Sequence, residues 1–121
     1  MKIEMVENLK KRMDETNKYV RDALDGKRKW DPKKAERTII LTPETFAQVF
    51  TPQRMRLLLR VKRNKINNIY QLAKELGRPY EAVHRDVKYL EGFGLIKIKK
   101  RERERIPFMD ERIEMPVLSA T

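Results

Sequence analysis

Cysteine is absent from the sequence, and histidine occurs once, as His84. Without thiols the chain can form no disulfide bond and offers no thiolate ligand to a metal ion. One imidazole is too few for the nitrogen-ligand clusters that hold zinc in proteins. The sequence therefore predicts a protein without a metal site and without a cofactor.

Long apolar runs are also missing. No segment approaches the roughly 18 uninterrupted apolar residues that a membrane-spanning helix requires. The N-terminus lacks the apolar block of a secretory signal. We therefore expect a soluble, cytoplasmic protein that does not associate with a membrane.

Positive charge dominates what is present: 29 Lys and Arg against 18 Asp and Glu give a net charge of +11. A surplus of this size favours polyanionic partners, nucleic acid before an anionic membrane. Residues 65–93 carry five basic and four acidic side chains, whereas residues 54–65 carry six basic and no acidic ones. A second basic run, residues 97–105, follows. This layout is typical of a module whose flanks hold phosphates while a nearly neutral helix touches bases.

Residues 66–95 predict two amphipathic helices joined by a tight turn, which is a helix-turn-helix. The first helix is expected from Asn68 to Leu76, and Gly77 should end it in a left-handed conformation. The second is expected to start at Pro79, since proline suits a first helical position, and to run to Phe93. Its predicted core stripe is Val83, Val87 and Leu90, and its predicted outer face is Glu81, His84, Arg85 and Lys88.

Other signals divide the remainder of the chain. The two Thr-Pro pairs are helix starts, and alternation of apolar with basic residues indicates a hairpin after Gly94. In the helix that begins at Pro52, we expect Met55, Leu58 and Leu59 to be buried, with Leu57 and Val61 widening that face. The predicted helices are Ile3–Leu24, Pro43–Phe50 and Pro52–Lys62, and the predicted strands are Glu36–Leu41, Leu95–Lys99, Arg105–Phe108 and Arg112–Leu118.

The N-terminal helix carries a short, imperfect heptad pattern. A lone helix of this length is marginal in water, so its apolar residues need a surface, either the same domain or a second copy. We expect a homodimer in which Leu9, Met13 and Val20 contribute to the interface. In the basic linker that follows, Trp30 is expected to clamp the helix to the domain or, alternatively, to stack a base.

The residues of this motif resemble a known family. FTPQRMRLLL (Phe50 to Leu59), followed by IYQLAKELGRPYEAVHRDVKYLEGFGLI (Ile69 to Ile96), is similar to small archaeal and bacterial winged helix-turn-helix regulators described as MarR-like. The resemblance implies sequence-specific DNA binding, transcription regulation and dimerisation. It also implies a mainly α (α+β) fold, in which residues 1–34 form a dimerisation element and residues 35–121 form the DNA-binding domain with a C-terminal strand.

If such a motif docks conventionally, the helix from Pro79 lies in the major groove of double-stranded DNA. The predicted base-reading residues are Arg78, Tyr80, Glu81, His84 and Arg85. The predicted phosphate or minor-groove contacts are Arg54, Lys88, Lys99, Lys100, Arg101 and Arg103. Alternatives exist for two of these residues: His84 could be a half-buried ring bonded to Asp86 or a carbonyl, and Tyr80 could belong to the core. Asp86 is expected to be structural, paired with a nearby Arg or Lys.

Functions from other classes remain open. An enzyme is not expected, because no carboxylate cluster has metal-binding spacing and no Ser, Cys or Lys constellation accompanies His84. A sequence-tolerant architectural DNA-binding protein would fit the net charge and the basic hairpin equally well. An antitoxin-like module that grips a protein partner is a further alternative and is compatible with DNA binding.

Overall fold

The structure, a computed structural model, describes residues 1–24, 26 and 37–116. Within them the chain is a mixed α+β protein of five helices and two strand pairs. The elements are β1 (Lys2–Met5), α1 (Leu9–Leu24), β2 (Thr38–Leu41), α2 (Pro43–Val49), α3 (Pro52–Lys62), α4 (Ile69–Leu76), α5 (Tyr80–Gly92), β3 (Lys97–Arg101) and β4 (Glu104–Phe108). They fall into two compact units, Met1–Phe46 with Ile113–Thr121 and Ala47–Arg112. The predicted division at residues 34 and 35 lies outside the described residues, as does Trp30.

The first unit contains a strand pair that the sequence did not predict. β1 and β2 are parallel, with Ile3 opposite Ile39 and both Ile3 and Leu41 buried. The prediction that a helix begins at Ile3 is wrong, since α1 begins at Leu9, where Asn8 accepts a hydrogen bond from the Lys11 N–H at 3.0 Å. Asn8 is a typical helix N-cap, and it ends the extended segment before it.

The C-terminal segment contributes less than predicted. In place of a strand over Arg112–Leu118, a single parallel bridge joins Glu114 to Lys2. The Ile3 N–H donates to the Glu114 carbonyl at 3.1 Å, and the Glu114 N–H donates to the Met1 carbonyl at 2.9 Å. Pro116, which follows, has no N–H with which to continue a ladder. Residues 117–121 lie outside the described part of the chain.

Helix α1 leaves its predicted interface residues in solvent. Leu9, Met13 and Val20 are 41%, 44% and 36% exposed, and Leu24 is 81% exposed. The polar side of the helix is the better anchored one, because the Arg12 guanidinium donates to both carboxylate oxygens of Glu4 at 3.0 and 3.1 Å. This contact raises the pKa of Arg12, chiefly through the hydrogen bond to Glu4.

The second unit has a well-packed core beneath α3, α4 and α5. α3 has the predicted bounds, because Thr51 accepts the Arg54 N–H and Pro52 occupies the first turn. Its buried face differs from the prediction: Leu59 is 56% exposed and Met55 only half-buried. The fully or nearly fully buried core residues of this unit are Val49, Leu57, Leu58, Val61, Ile66, Ile69, Leu72, Ala73, Val83, Val87, Leu90, Leu95, Ile96 and Pro107.

Candidate nucleic-acid interface

The turn between α4 and α5 has the predicted geometry at its glycine. Gly77 has φ 65° and ψ 33°, a left-handed conformation, and its N–H and that of Arg78 donate to carbonyls of the last turn of α4. Pro79 remains extended at ψ 142°, so α5 begins one residue later than predicted, at Tyr80. The Pro79 carbonyl nevertheless accepts the first helical hydrogen bond, from the Val83 N–H at 3.2 Å. The turn is therefore short, and the backbone N–H groups of Gly77 and Arg78 are both hydrogen-bonded.

Helix α5 separates its side chains into two faces, as predicted. Val83, Val87 and Leu90 have no exposed surface. Glu81, Arg85 and Lys88 are exposed, and among the described residues none of the three has an ion-pair partner. A helix arranged in this way presents a charged face whose groups are free to bind an external ligand.

Asp86 organises the end of the turn and the start of α3. Its carboxylate accepts from Arg54 Nε at 3.2 Å and from Arg78 Nη2 at 2.8 Å, while the residue is only 7% exposed. The Arg54 guanidinium also lies 4.1 Å from the centroid of the Tyr89 ring and donates to the carbonyl of Gln48. The prediction that Asp86 is structural is confirmed. Two residues predicted to contact DNA, Arg54 and Arg78, thus have their guanidinium groups directed to this carboxylate.

Three rings lie side by side at the N-terminal ends of α4 and α5. Tyr70 stacks on Tyr80 with 4.0 Å between ring centroids and 13° between planes, and Tyr80 lies 5.6 Å from His84. Tyr80 and His84 are half-buried, whereas Tyr70 is 67% exposed. Because Asp86 is held by two arginines, it is not the partner of His84 that the sequence allowed. The imidazole packs against a ring instead.

The hairpin β3–β4 presents most of its basic side chains to solvent. The strands are antiparallel, with Lys100 opposite Arg105 and Arg101 opposite Glu104, and Glu102 in the turn has φ 59°. Side chains alternate across the strands, so Lys99 and Lys100 lie on opposite faces. The exposed cations of the hairpin and its turn are Lys99, Lys100, Arg101, Arg103 and Arg105. β3 begins two residues later than predicted because Leu95 and Ile96 are buried in the core first.

The helices and the hairpin meet at a groove of about 450 Å³. Of the predicted site residues, the groove brings together Tyr80, His84 and Arg103. It is lined by Asn68, Ile69, Tyr70, Tyr80, His84, Arg103, Glu104 and Arg105. Asn68 connects the two walls, since its Nδ2 donates to Glu104 Oε1 at 3.1 Å while its Oδ1 caps α4 by accepting the Gln71 N–H.

The sequence did not predict Tyr70, Asn68 or Arg105 as members of this site. For Tyr70 a signal existed, because it lies outside the apolar positions of α4, and a large aromatic on a polar helix face is unusual enough to indicate binding. Asn68 was predicted to begin the helix, and its contact to residue 104 depends on the folded hairpin.

An exposed ion pair joins α3 to α4 on another part of this unit. Arg60 Nε donates to Glu75 Oε2 at 2.6 Å, and this hydrogen bond lowers the pKa of Glu75.

The region from α3 to the hairpin coincides with a defined protein family. A family model named HVO_A0114 matches residues 49–114, which is more than half of the chain. The chain belongs to the HVO_A0114 family. The match begins just before α3 and includes every residue of the groove. No curated protein matches the chain significantly. None of the helices in the described residues is long and apolar enough to span a bilayer.

Proposed function

We propose that this protein is a DNA-binding transcription regulator of the winged helix-turn-helix type, similar to the MarR-like group. In this proposal α5 enters the major groove and the β3–β4 hairpin is the wing. The observation that carries the proposal is the exposed, unpaired charged face of α5 next to a hairpin of exposed cations, on a helix whose apolar face is already buried. Such an arrangement supplies both base contacts and phosphate contacts on one surface.

The exposed face of α5 would discriminate between bases. Arg85 has two donors suited to the O6 and N7 acceptors of guanine, and Glu81 can accept from the amino group of cytosine. His84 can reach a base acceptor or a phosphate, and Lys88, one turn further along, would meet phosphate. Arg54 and Arg78 fit a supporting role in this scheme, since their hydrogen bonds to Asp86 fix the start of α5.

The wing would add affinity with little sequence preference. Lys99, Lys100, Arg101 and Arg103 are exposed and could contact phosphates or enter the minor groove. Each phosphate neutralised adds about −0.9 to the slope of log affinity against log salt concentration. Binding should therefore weaken steeply as salt is raised.

A homodimer formed through helix α1 would present two copies of this DNA-binding surface. Leu9, Met13 and Val20 form the apolar face that α1 leaves exposed, and a second copy could cover it. A regulator of this kind would act on the nucleoid in the cytoplasm.

A titration of the full chain against genomic and random DNA fragments at two salt concentrations tests the proposal. We expect a subset of genomic fragments to bind more tightly than random ones. Arg85→Ala should relax that preference, whereas Lys100→Ala with Arg101→Ala should mainly reduce the salt slope. Lys18→Ala, an exposed charge on α1, is the control for the loss of one positive charge.

The net charge of +11 favours a second candidate, a sequence-tolerant architectural protein. Equal affinity for every fragment, with the same salt slope, would support that function and exclude a specific regulator. No binding to any fragment at low salt would exclude both.

A further inference from the structure

We propose that the groove between Tyr70 and the hairpin turn binds an unpaired nucleobase, stacked on Tyr70, with its phosphate held by Arg103 or Arg105. This inference rests on the proposed function and extends it. A regulator that reads only duplex DNA needs no such site, whereas a site of this kind would direct the protein to a nucleotide that is flipped out, bulged or single-stranded.

The aromatic wall of the groove is preassembled. Tyr80 covers one face of Tyr70 in a nearly parallel stack, with 4.0 Å between the ring centroids. The His84 ring, on the same helix as Tyr80, lies 5.6 Å from the Tyr80 ring. Although Tyr80 stacks on its ring, Tyr70 is 67% exposed. A ring that is fixed on one face and open on the other provides a stacking platform at little further cost in side-chain entropy.

The hairpin side of the groove supplies the charge that a phosphate needs. Arg103 and Arg105 are exposed and line the groove, and neither forms an ion pair with any residue that the structure describes. The one carboxylate in the groove, Glu104, accepts a hydrogen bond from Asn68 at 3.1 Å, which directs one of its oxygens towards the start of α4. Aromatic and cationic side chains that line one groove match a nucleotide, which has a flat base and an anionic phosphate.

The geometry favours an unpaired base over a paired one. Inside a duplex both faces of every base are covered by neighbouring bases, so no face is available to Tyr70. A base that has left the stack exposes its faces, and proteins recognise such bases by stacking them on aromatic side chains. The groove volume of about 450 Å³ lies within the range of about 300–1,000 Å³ that small-ligand pockets occupy.

The test compares three DNA duplexes of one sequence. The first is blunt, the second carries one unpaired adenine nucleotide bulged near its centre, and the third carries an abasic sugar-phosphate at the bulge. The second and third have the same charge and the same backbone, so they differ only in the base. Affinities of the full-length protein are measured by fluorescence anisotropy, and 2-aminopurine in place of the bulged adenine reports stacking directly through loss of its emission.

We expect the bulged duplex to bind about tenfold more tightly than its abasic counterpart, in line with the usual effect of stacking one base. Tyr70→Ala should abolish this difference between the bulged and abasic duplexes, and Tyr70→Phe should retain it. Arg103→Ala with Arg105→Ala should weaken the bulged and abasic duplexes equally. Tyr70→Ala should fold normally, since the side chain is mostly exposed, and thermal unfolding verifies this.

Equal affinity of the wild-type protein for the bulged and abasic duplexes would overturn the inference, while binding of the blunt duplex would leave the proposed function intact. Loss of the difference in Tyr70→Phe as well would show that the hydroxyl group and not the ring face is recognised, which also contradicts stacking. If none of the three duplexes binds at low salt, the proposed function fails with the inference.

Discussion

Helices α1 and α5 are both amphipathic, but the apolar face is buried on α5 and exposed on α1. On α5, Val83, Val87 and Leu90 are completely buried, and the free side chains are charged. On α1, Leu9 is 41% exposed and Leu24 81% exposed, while the polar side is tied to β1 through the pair between Arg12 and Glu4. One helix offers charge to its surroundings and the other offers apolar surface.

This difference separates two kinds of partner. A charged face with unpaired groups suits a polyanion, because binding does not first require an internal ion pair to break. Covering an exposed apolar face with a complementary apolar surface is favourable, as in helix pairing between two copies. In the proposed function, residues 47–112 would therefore bind DNA and α1 would bind a second copy of the chain.

The largest expected effect tests burial directly, by the same Leu→Ala change on each helix. Leu90→Ala on α5 should lower the free energy of unfolding by about 3 kcal/mol, since it removes a fully buried side chain and leaves a cavity. In the monomer, Leu24→Ala on α1 should lower it by less than about 0.5 kcal/mol, as for other exposed sites. Urea unfolding of both variants gives the comparison.

Similar losses in both variants would show that the apolar side of α1 is covered in solution. If a second copy covers it, the loss in Leu24→Ala should grow with protein concentration, because association stabilises by mass action. A loss of stability in Leu24→Ala that does not depend on protein concentration would indicate that another segment of the same chain covers the apolar side of α1.

The next largest effect contrasts the ion pairs of the two units. Asp86→Asn should cost about 3 kcal/mol, because Arg54 and Arg78 would lose the carboxylate that balances them in a largely buried setting. Glu4→Gln is the matched change in the first unit. It should cost less than about 1 kcal/mol, because its side chain is 40% exposed and solvent screens the charge of Arg12. Equal costs in urea unfolding would contradict this difference in burial.

Local signals predicted those parts of the fold that local chemistry determines. Thr51 and Pro52 set the start of α3, Gly77 sets the turn, and the spacing of Val83 and Val87 sets the buried face of α5. Each of these depends on residues within about one helical turn, so the sequence contains the whole cause. Gly94, at φ 75°, follows the C-cap residue Phe93, and its N–H donates to the Glu91 carbonyl at 2.8 Å.

Contacts between distant segments decided what the sequence could not predict. β1 is a strand because it pairs with Thr38–Leu41, and its four residues carry no start signal of their own. In α3 the run of three leucines offers several possible inner faces, and packing within the second unit selected Leu57 and Leu58 over Leu59. The same holds for the candidate site, where one of the two partners of Asp86, Arg54, is 32 residues away.

A smaller effect concerns the turn before α5. Gly77→Ala should lower the free energy of unfolding by about 1 kcal/mol, because a side chain in the left-handed region strains the backbone. No atom lies within 4 Å of the added Cβ, so backbone strain is the sole cost expected. Gly92→Ala is the matched control: it also meets no atom within 4 Å, lies in α5 and should be neutral or stabilising by up to about 1 kcal/mol. Destabilisation by both variants would mean that the added methyl group is opposed by steric crowding and not by the positive φ of Gly77.

The smallest effect is expected at the exposed pair between Arg60 and Glu75. The hydrogen bond from Arg60 lowers the pKa of Glu75 below its ordinary value of 4.5, so the folded protein takes up this proton less readily than the unfolded chain. The pair therefore stabilises the fold at pH values above the ordinary pKa and stops doing so as the pH falls through the lowered one. The urea midpoint of wild type should exceed that of Glu75→Gln slightly at neutral pH, and the two should converge in acid and in high salt. A gap that stays constant with pH would show that the carboxylate charge of Glu75 does not cause the difference, because the hydrogen bonds from Arg60 and Gln71 both favour the ionised carboxylate.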